Sequence, residues 1–360
     1  MKIAIIGLPN SGKTTTFNAL TQGTAETAAF SSGRLEPNLA LVKVPDARLE
    51  DLAQIYKPRK VTAAEVQYVD VNGFRAEVDR KDGLSAELLG YVGTADALLH
   101  VVRAFEDERA PHPLGSVNSQ RDLGLVEVEL IFSDLMIIER RLERLEKDLR
   151  KLSGQERNIS AAERDLLCRL KGALEDEKPI RDVELSSQEE KLLRGYQFLS
   201  MKPVLVVLNI GENQTSDPPP LESTHAKSLV VPLSAKIEAE LAQLDDGDAR
   251  EFMEALGVHE PARDRVIKSS YSLLGLISFL TVGEDEVRAW TIRQGTISVE
   301  AGGVIHSDIQ RGFIRAEVVS FQDLIQAGNM VTAKKQGRVR LEGKEYVVKD
   351  GDISHFLFNV

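Results

Sequence analysis

The sequence predicts an α/β protein with a mainly parallel sheet, a long helical insertion and a smaller β-rich region at its end. A glycine-bearing loop joins an apolar strand to a helix within residues 2–20, and short apolar runs separated by helix-length segments follow. Strands that alternate with helices form parallel sheets. After about residue 281 the pattern changes to short strands punctuated by Gly and Asp, which indicates a separate β-rich region.

The first region opens with the apolar strand KIAIIG and a helix from about Lys13 to Leu20. Apolar runs at Leu39 to Val44, Val66 to Val69 and Ala97 to Val102 predict further strands. The run from Pro203 to Asn209 resumes the same pattern after a long interruption. The region is therefore predicted to be discontinuous in sequence.

The interruption is predicted to be helical. Between about Leu125 and Leu152, apolar residues recur at steps of three and four, as on an amphipathic helix. A second helix is predicted from Ser160, with Glu163 completing a capping box, to about Glu177, and a third at Ser187 to Leu199. The insertion either contacts a partner or packs only on its own body.

These boundaries predict three domains. Residues 1–125 and 201–280 form the α/β domain, residues 126–200 the helical insertion, and residues 281–360 a small β-rich domain with predicted strands such as Glu345 to Val348. A length of 360 residues allows each domain its own core.

Composition excludes several classes. Hydrophobic residues make up 42% and charged residues 28%, which is typical of a globular protein in water. The first apolar run ends at Pro9 and is too short for a signal peptide or a spanning helix, so we expect a cytoplasmic protein with no membrane partner. A net charge of -11 argues against coating nucleic acid through the overall field, although local basic patches remain possible. We expect a monomer.

The strongest motif is GLPNSGKT, a complete GxxxxGK[ST] between a predicted strand and a predicted helix. Its glycines let successive backbone N–H groups face phosphates, together with the helix N-terminus. Lys13 adds a cation toward the β and γ phosphates, and the Thr14 hydroxyl can ligate Mg²⁺. The predicted phosphate-binding residues are Asn10, Ser11, Gly12, Lys13, Thr14 and Thr15.

A DxxG sequence follows a later strand. Asp70 is predicted to hold the metal, and the amide of Gly73 to sense the γ-phosphate. Taken alone the pattern is equally typical of an ordinary turn. The next residue, Phe74, stands where many GTPases carry a glutamine that orients water, and an apolar ring cannot do this.

The base-binding side is predicted at two strand ends. Asn209, Ile210 and Glu212 stand where guanine-specific proteins carry Asn-Lys-x-Asp, with the lysine replaced and the carboxylate on a longer arm. This damaged guanine clamp favours ATP over GTP. Ser234 and Ala235 belong to a Ser-Ala-Lys loop whose backbone lines the base.

Several longer segments complete the pattern: GLPNSGKTTTFNALT, HVVRAFED, GVIHSDIQRGFIRAEV and EGKEYVVKDGDISHFLFNV. On these segments the sequence resembles the YchF, or Obg-like ATPase, family of P-loop NTPases over essentially the whole chain. The resemblance implies a Ras-like G domain, a coiled-coil insertion and a C-terminal TGS domain of β-grasp type. It also implies Mg²⁺-dependent hydrolysis of ATP in preference to GTP. It further implies association with the ribosome or ribosomal RNA through the coiled coil and the TGS domain.

Two features depart from the family pattern. Arg34 stands in the register of a switch I threonine that completes the Mg²⁺ shell, and arginine cannot ligate a cation. The stretch from Arg75 to Asp82 is more charged than the family's glycine-rich switch II.

His112 matches a family histidine, and the resemblance implies that it is a catalytic residue together with Lys13. An imidazole can exchange protons near neutral pH. The alternative is a solvent-exposed loop histidine between two prolines. The sequence thus predicts a slow ATPase switch, with a catalytically weak nucleotide-sensing module or a GTPase as alternatives.

Overall fold

The structure is a computed structural model that describes residues 1–23, 37–71, 86–255, 258 and 260–359. The chain divides into two compact units. The first comprises Met1–Ala40 and Gln67–Val266, and the second comprises Leu41–Val66 and Ile267–Val360. The segment 41–66, which the sequence analysis grouped with residues 1–125, lies in the second unit.

The first sheet has six strands in the order β2-β4-β1-β5-β6-β7. The pairings of β1 with β4 and β5, of β5 with β6, and of β6 with β7 are all parallel. Their carboxyl ends therefore lie at one edge of the sheet, where α/β proteins bind ligands. The strands are β1 Lys2–Ile6, β2 Asn38–Lys43, β4 Glu65–Asp70, β5 Ala97–Arg103, β6 Val204–Asn209 and β7 Ser228–Leu233.

The central strands β5 and β6 are buried along their whole length. This explains why they read as continuous apolar runs instead of alternating patterns. Helices α1 Lys13–Thr21, α3 Ala86–Gly93, α7 Ala235–Leu241 and α8 Asp246–Ala255 belong to the same unit. The predicted α/β fold with a mainly parallel sheet is confirmed.

The insertion consists of α4 Ser119–Leu149, α5 Gly154–Glu175 and α6 Ser187–Leu193. Its own core joins Ile131, Ile138 and Leu145 of α4, spaced seven apart, to leucines of α5. This seven-residue spacing is that of a coiled-coil seam. The insertion confirms the predicted helical element.

Two details of the predicted insertion are wrong. The second helix begins at Gly154 instead of Ser160, so Ser160 caps nothing. Glu163 instead accepts a hydrogen bond from Arg141 at 2.7 Å and one from the Tyr196 hydroxyl. The third helix ends at Leu193 because a 3₁₀ turn, Arg194–Tyr196, follows it.

The second unit is built on a mixed sheet of order β11-β10-β12-β8-β9-β3. Strand β3, Lys60–Thr62, pairs in parallel with β9, although more than 200 residues separate the two strands in sequence. Strand β10 is antiparallel to both β11 and β12, and β8 is antiparallel to β9. The other strands are β8 Leu276–Thr281, β9 Glu286–Arg293, β10 Phe313–Ser320, β11 Arg340–Glu342 and β12 Asp352–Phe358.

The core of this sheet contains Phe279, Phe313 and Phe356, and Phe279 meets Phe356 edge to face at 5.8 Å. The predicted strand Glu345 to Val348 is wrong, because that segment forms only an isolated bridge between Ile297 and Val347. The helices are α2 Ala47–Tyr56, α9 Ala262–Leu273, which crosses the boundary between the units, α10 Ser298–Ile305, α11 Ser307–Arg311, α12 Phe321–Ala327 and α13 Met330–Lys335. Across the described ranges, every helix is too short or too polar to traverse a bilayer.

Candidate functional site

The loop between β1 and α1 is a tight backbone turn that only glycine permits at two positions. Gly7 has a φ of 145°, and a Cβ there would lie 2.4 Å from the Val101 carbonyl oxygen. Gly12 has a φ of 92°, and a Cβ there would lie 2.3 Å from Nδ2 of Asn209. Both positions combine a left-handed backbone with closely approaching neighbours. The loop is therefore tightly packed against Val101 and Asn209 at the carboxyl edge of the sheet.

Lys13 folds its side chain back over this loop. Its Nζ donates hydrogen bonds to the carbonyl oxygens of Gly7 at 3.1 Å and Leu8 at 2.9 Å. Burial of the ammonium lowers its pKa to about 8, against the attraction of the Asp70 carboxylate. A phosphate bound beside it would supply the missing negative charge and restore the protonated form.

Thr14 and Asp70 meet beside the same loop. The Thr14 hydroxyl donates to Oδ2 of Asp70 at 2.8 Å. Burial raises the pKa of the Asp70 carboxyl, while the Thr14 hydroxyl, Lys13 and Asn38 oppose the rise. Among the residues that the structure describes, Oδ1 of Asp70 is buried and accepts no hydrogen bond. A buried oxygen without a partner is costly, so this atom is suited to a cation or its bound water.

The two metal candidates of the sequence analysis therefore lie together, and their oxygens fit Mg²⁺. The described parts of the chain contain no group of three or more His, Cys, Asp or Glu side chains placed to hold a metal. The buried hydroxyls of Ser11 and Thr16 also have no partner among the described atoms.

Asn209 joins the loop to the next strand end. Its Nδ2 donates to the Ser11 carbonyl oxygen at 3.0 Å, and its Oδ1 accepts from the Ala235 backbone N–H at 3.1 Å. Both ends of the amide are thus used within the protein. The structure brings Asn209 to the candidate site, where it connects the loop after β1 to the start of α7.

The other base-side residues separate into buried and exposed groups. Ile210 is 5% exposed and packs into the core of the first unit. Glu212 is exposed, and its Oε2 pairs with Nζ of Lys236 at 2.7 Å. Ser234 is buried, and its hydroxyl has no partner among the described residues. A carboxylate paired with lysine is a weaker acceptor for base N–H groups than a free one.

His112 is buried, in contrast to the exposed loop histidine of the alternative prediction. Its Nε2 lies 2.8 Å from Oδ2 of Asp122, and its Nδ1 accepts from the Leu114 backbone N–H at 3.2 Å. Asp122 lies in the first turn of α4 and also accepts two hydrogen bonds from Arg121. The imidazole therefore has both nitrogens engaged, and a catalytic role requires it to leave Asp122.

The segment before His112 contacts the loop between β1 and α1, the predicted phosphate-binding loop, which is called the phosphate loop below. Nδ2 of Asn10 donates to the Pro111 carbonyl oxygen at 3.1 Å. Arg103, at the end of β5, donates from one nitrogen to the carbonyl oxygens of Asn10 and Ala110. In the sequence, Arg103 stands within the segment HVVRAFED, where no motif assigns it a role. Its position directly after a buried strand, at the edge where the motifs converge, is the signal that could have found it.

Three predicted residues, Gly73, Arg34 and Phe74, lie outside the described residues. The metal role of the first switch region and the γ-phosphate contact at Gly73 therefore stay predictions. Thr15 is described and lies in the first turn of α1, directly after Thr14.

Comparison with known proteins identifies relatives over the full length. A family model for the C-terminal domain of YchF GTPases, described as "Protein of unknown function (DUF933)", matches residues 276–359. A model described as "50S ribosome-binding GTPase" matches residues 2–131. The chain is 42% identical to the Ribosome-binding ATPase YchF of Bacillus subtilis, covering 99% of this chain and 98% of that protein. It is 40% identical to the protein of the same name from Escherichia coli O157:H7, covering 100% and 99%.

A solved structure is also similar. The YchF GTPase of Schizosaccharomyces pombe superposes with a TM-score of 0.85 at 31% identity, covering 99% of this chain and 97% of that one. The sequence resemblance is therefore confirmed by both sequence and fold. With two family models matched and relatives aligned from end to end, this chain belongs to the YchF family.

Proposed function

We propose that the protein is a Mg²⁺-dependent nucleoside triphosphatase that prefers ATP to GTP and works as a slow switch on the ribosome. One observation carries the proposal: the Lys13 ammonium lies over a closed glycine loop, beside the paired Thr14 and Asp70 oxygens. A cation, backbone N–H donors and metal-ligating oxygens close together are the groups that a phosphate and its metal ion require, and this supports the proposal.

The residues divide the work among three tasks. The backbone N–H groups from Asn10 to Thr15 and the Lys13 ammonium hold the phosphates. Thr14 and Asp70 would hold Mg²⁺, which supplies charge neutralisation at the β and γ phosphates. Catalysis by this chain is electrostatic positioning, because phosphoryl transfer needs little covalent chemistry from the protein.

The placement of the residues predicted to contact the base supports a preference for ATP. Guanine recognition needs a free carboxylate that accepts two base N–H groups and a lysine stem that covers the ring. Here Ile210 is buried in the core, and Glu212 is paired with Lys236. These placements support a site that does not select guanine.

The way in which His112 is held supports slow turnover. His112 is held by Asp122 and Leu114, so it cannot orient water until that contact breaks. The same observation favours the alternative of a nucleotide-sensing module with negligible hydrolysis. We retain His112 as the catalytic candidate, acting after its release from Asp122.

The relatives named Ribosome-binding ATPase support a ribosomal partner. We propose that this chain also binds the ribosome, through the helical insertion and the C-terminal TGS domain, as a cytoplasmic monomer. We keep the division into a G domain of 1–125 and 201–280, an insertion of 126–200 and a TGS domain of 281–360.

Competition and single-turnover measurements test the function. Purified protein with Mg²⁺ should release a fluorescent adenine nucleotide more readily with ATP than with GTP as competitor. With excess enzyme, radiolabelled ATP should then yield phosphate, and EDTA should suppress the release. Stronger displacement by GTP would replace the proposal with a GTPase, and binding without phosphate release would favour the sensing module.

A further inference from the structure

Arg103 is a fully buried arginine, 1% exposed, that none of the roles above uses. Within the described residues its guanidinium donates to backbone carbonyl oxygens alone: to Phe105 at 2.8 Å, Ala110 at 2.6 Å, Asn10 at 3.2 Å and Asp107 at 3.5 Å. Across the described ranges, no carboxylate pairs with it. A buried charge is expensive unless it is fully hydrogen-bonded, so these carbonyl groups compensate for the missing counter-ion.

One of those acceptors belongs to a residue with a left-handed backbone. Asn10 has a φ of 59°, a region that is uncommon for residues other than glycine, although asparagine enters it more readily than most. Such a conformation persists where the surroundings hold it. Arg103 holds the Asn10 carbonyl, and the Pro111 carbonyl holds the Asn10 side chain at 3.1 Å.

The same guanidinium also contacts the loop between β5 and α4, which carries His112 and is called the His112 segment below. Its contacts to Phe105 and Ala110 span the loop that leaves β5, and the Arg103 carbonyl accepts from Ser119 at 2.9 Å at the start of α4. Arg103 thus connects three pieces of chain: the phosphate loop, the His112 segment and the first turn of α4. A lysine has no planar fork and cannot make the same set of contacts.

We propose that Arg103 is a positioning residue for nucleotide hydrolysis, holding Asn10 in its left-handed conformation and keeping the His112 segment against the phosphate loop. The inference rests on the proposed hydrolysis. Its chemistry is indirect, because the aligned N–H groups of the loop bind phosphate only when their peptide planes are held in place. Displacing a positioned group by about 1 Å can cost roughly 100-fold in rate.

The test compares Arg103→Gln and Arg103→Lys with Arg181→Gln, which removes another buried arginine, paired with Glu127 at 2.5 Å. Single-turnover ATP hydrolysis should fall roughly 100-fold in Arg103→Gln and somewhat less in Arg103→Lys. The Kd for ADP, measured in EDTA, should change by less than about tenfold, since Lys13 and the remaining N–H groups still bind the phosphates. Arg181→Gln should lower the Tm and leave the hydrolysis rate unchanged.

A second variant separates positioning from general damage. Glycine adopts the left-handed region at no steric cost, so Arg103→Gln should cost about tenfold less in an Asn10→Gly background than in the wild-type background. The Asn10→Gly variant alone accounts for the lost hydrogen bond to Pro111. A wild-type rate in Arg103→Gln, or an equal loss of rate in Arg181→Gln, would overturn the proposal. No rescue by Asn10→Gly would overturn the part assigned to Asn10. If the wild-type protein neither binds nor hydrolyses ATP, the proposed function fails, and this proposal fails with it.

Discussion

The depressed pKa of Lys13 predicts that ATP binding takes up a proton in alkaline solution. In the empty protein, burial lowers the pKa of this ammonium to about 8 from 10.5. The phosphates of bound ATP are fully ionised above neutral pH and favour the charged lysine. Binding should therefore return the pKa toward or above its usual value.

The size of the effect follows from these two values. The empty protein is about half deprotonated at Lys13 at pH 8 and roughly nine-tenths deprotonated at pH 9. The bound protein stays protonated at both values. ATP binding should therefore take up about 0.5 proton at pH 8 and about 0.9 at pH 9, and less than about 0.1 at pH 7. The affinity should fall roughly tenfold between pH 7 and pH 9, equal to about 1.4 kcal/mol.

Calorimetric titration with ATP in buffers of different ionisation enthalpy measures this uptake directly. Lys13→Arg is the matched control, because a guanidinium stays protonated throughout the range and its binding should show no such uptake. No uptake at pH 9 by the wild-type protein would refute the reasoning. It would mean either that the lysine is not depressed or that it does not meet the phosphates.

Three further predictions follow from single contacts. Gly12→Ala should weaken ATP binding at least about tenfold in an equilibrium titration, because the added Cβ would meet Asn209 at 2.3 Å. Gly154→Ala is the control: its φ is also positive but the space around it is open, so ATP binding should be unchanged. Asp70→Asn should largely remove the effect of Mg²⁺ on ATP affinity while preserving ADP binding in EDTA; an unchanged Mg²⁺ effect would exclude Asp70 from the metal site. The buried Asp134 carboxyl in α4 accepts from the backbone N–H groups of Leu199 and Ser200. Asp134→Ala should therefore lower the free energy of unfolding in urea by roughly 2–4 kcal/mol, and an unchanged midpoint would contradict this.

The sequence was most informative where local rules decide the structure. The spacing of the GxxxxGK[ST] motif predicts the loop from Gly7 to Thr14, because phosphate binding requires its glycines, lysine and hydroxyl within a few residues. The strand of Val204–Asn209 was predicted after a long interruption, because a central strand must be apolar on both faces. The family resemblance added the order of the domains.

Non-local pairings could not be read from the sequence. Nothing in Lys60–Thr62 indicates a parallel partner more than 200 residues away in β9, because register depends on the packed sheet and not on local propensity. The contact of His112 with Asp122 was missed for the same reason, since it needs the loop to fold back on α4. The predicted helix cap at Glu163 is wrong because a capping-box pattern also occurs by chance inside helices. The Glu163 carboxylate pairs with Arg141 instead.

The most direct test of the account is the binding of ATP to the full chain with Lys13 present and removed. Equilibrium titration with Mg²⁺ at pH 7 should give saturable one-site binding by the wild-type protein and none by Lys13→Ala, with the Tm of the variant showing that it is folded. Equal affinity in the two proteins would contradict the claim that the loop after β1 grips the phosphates.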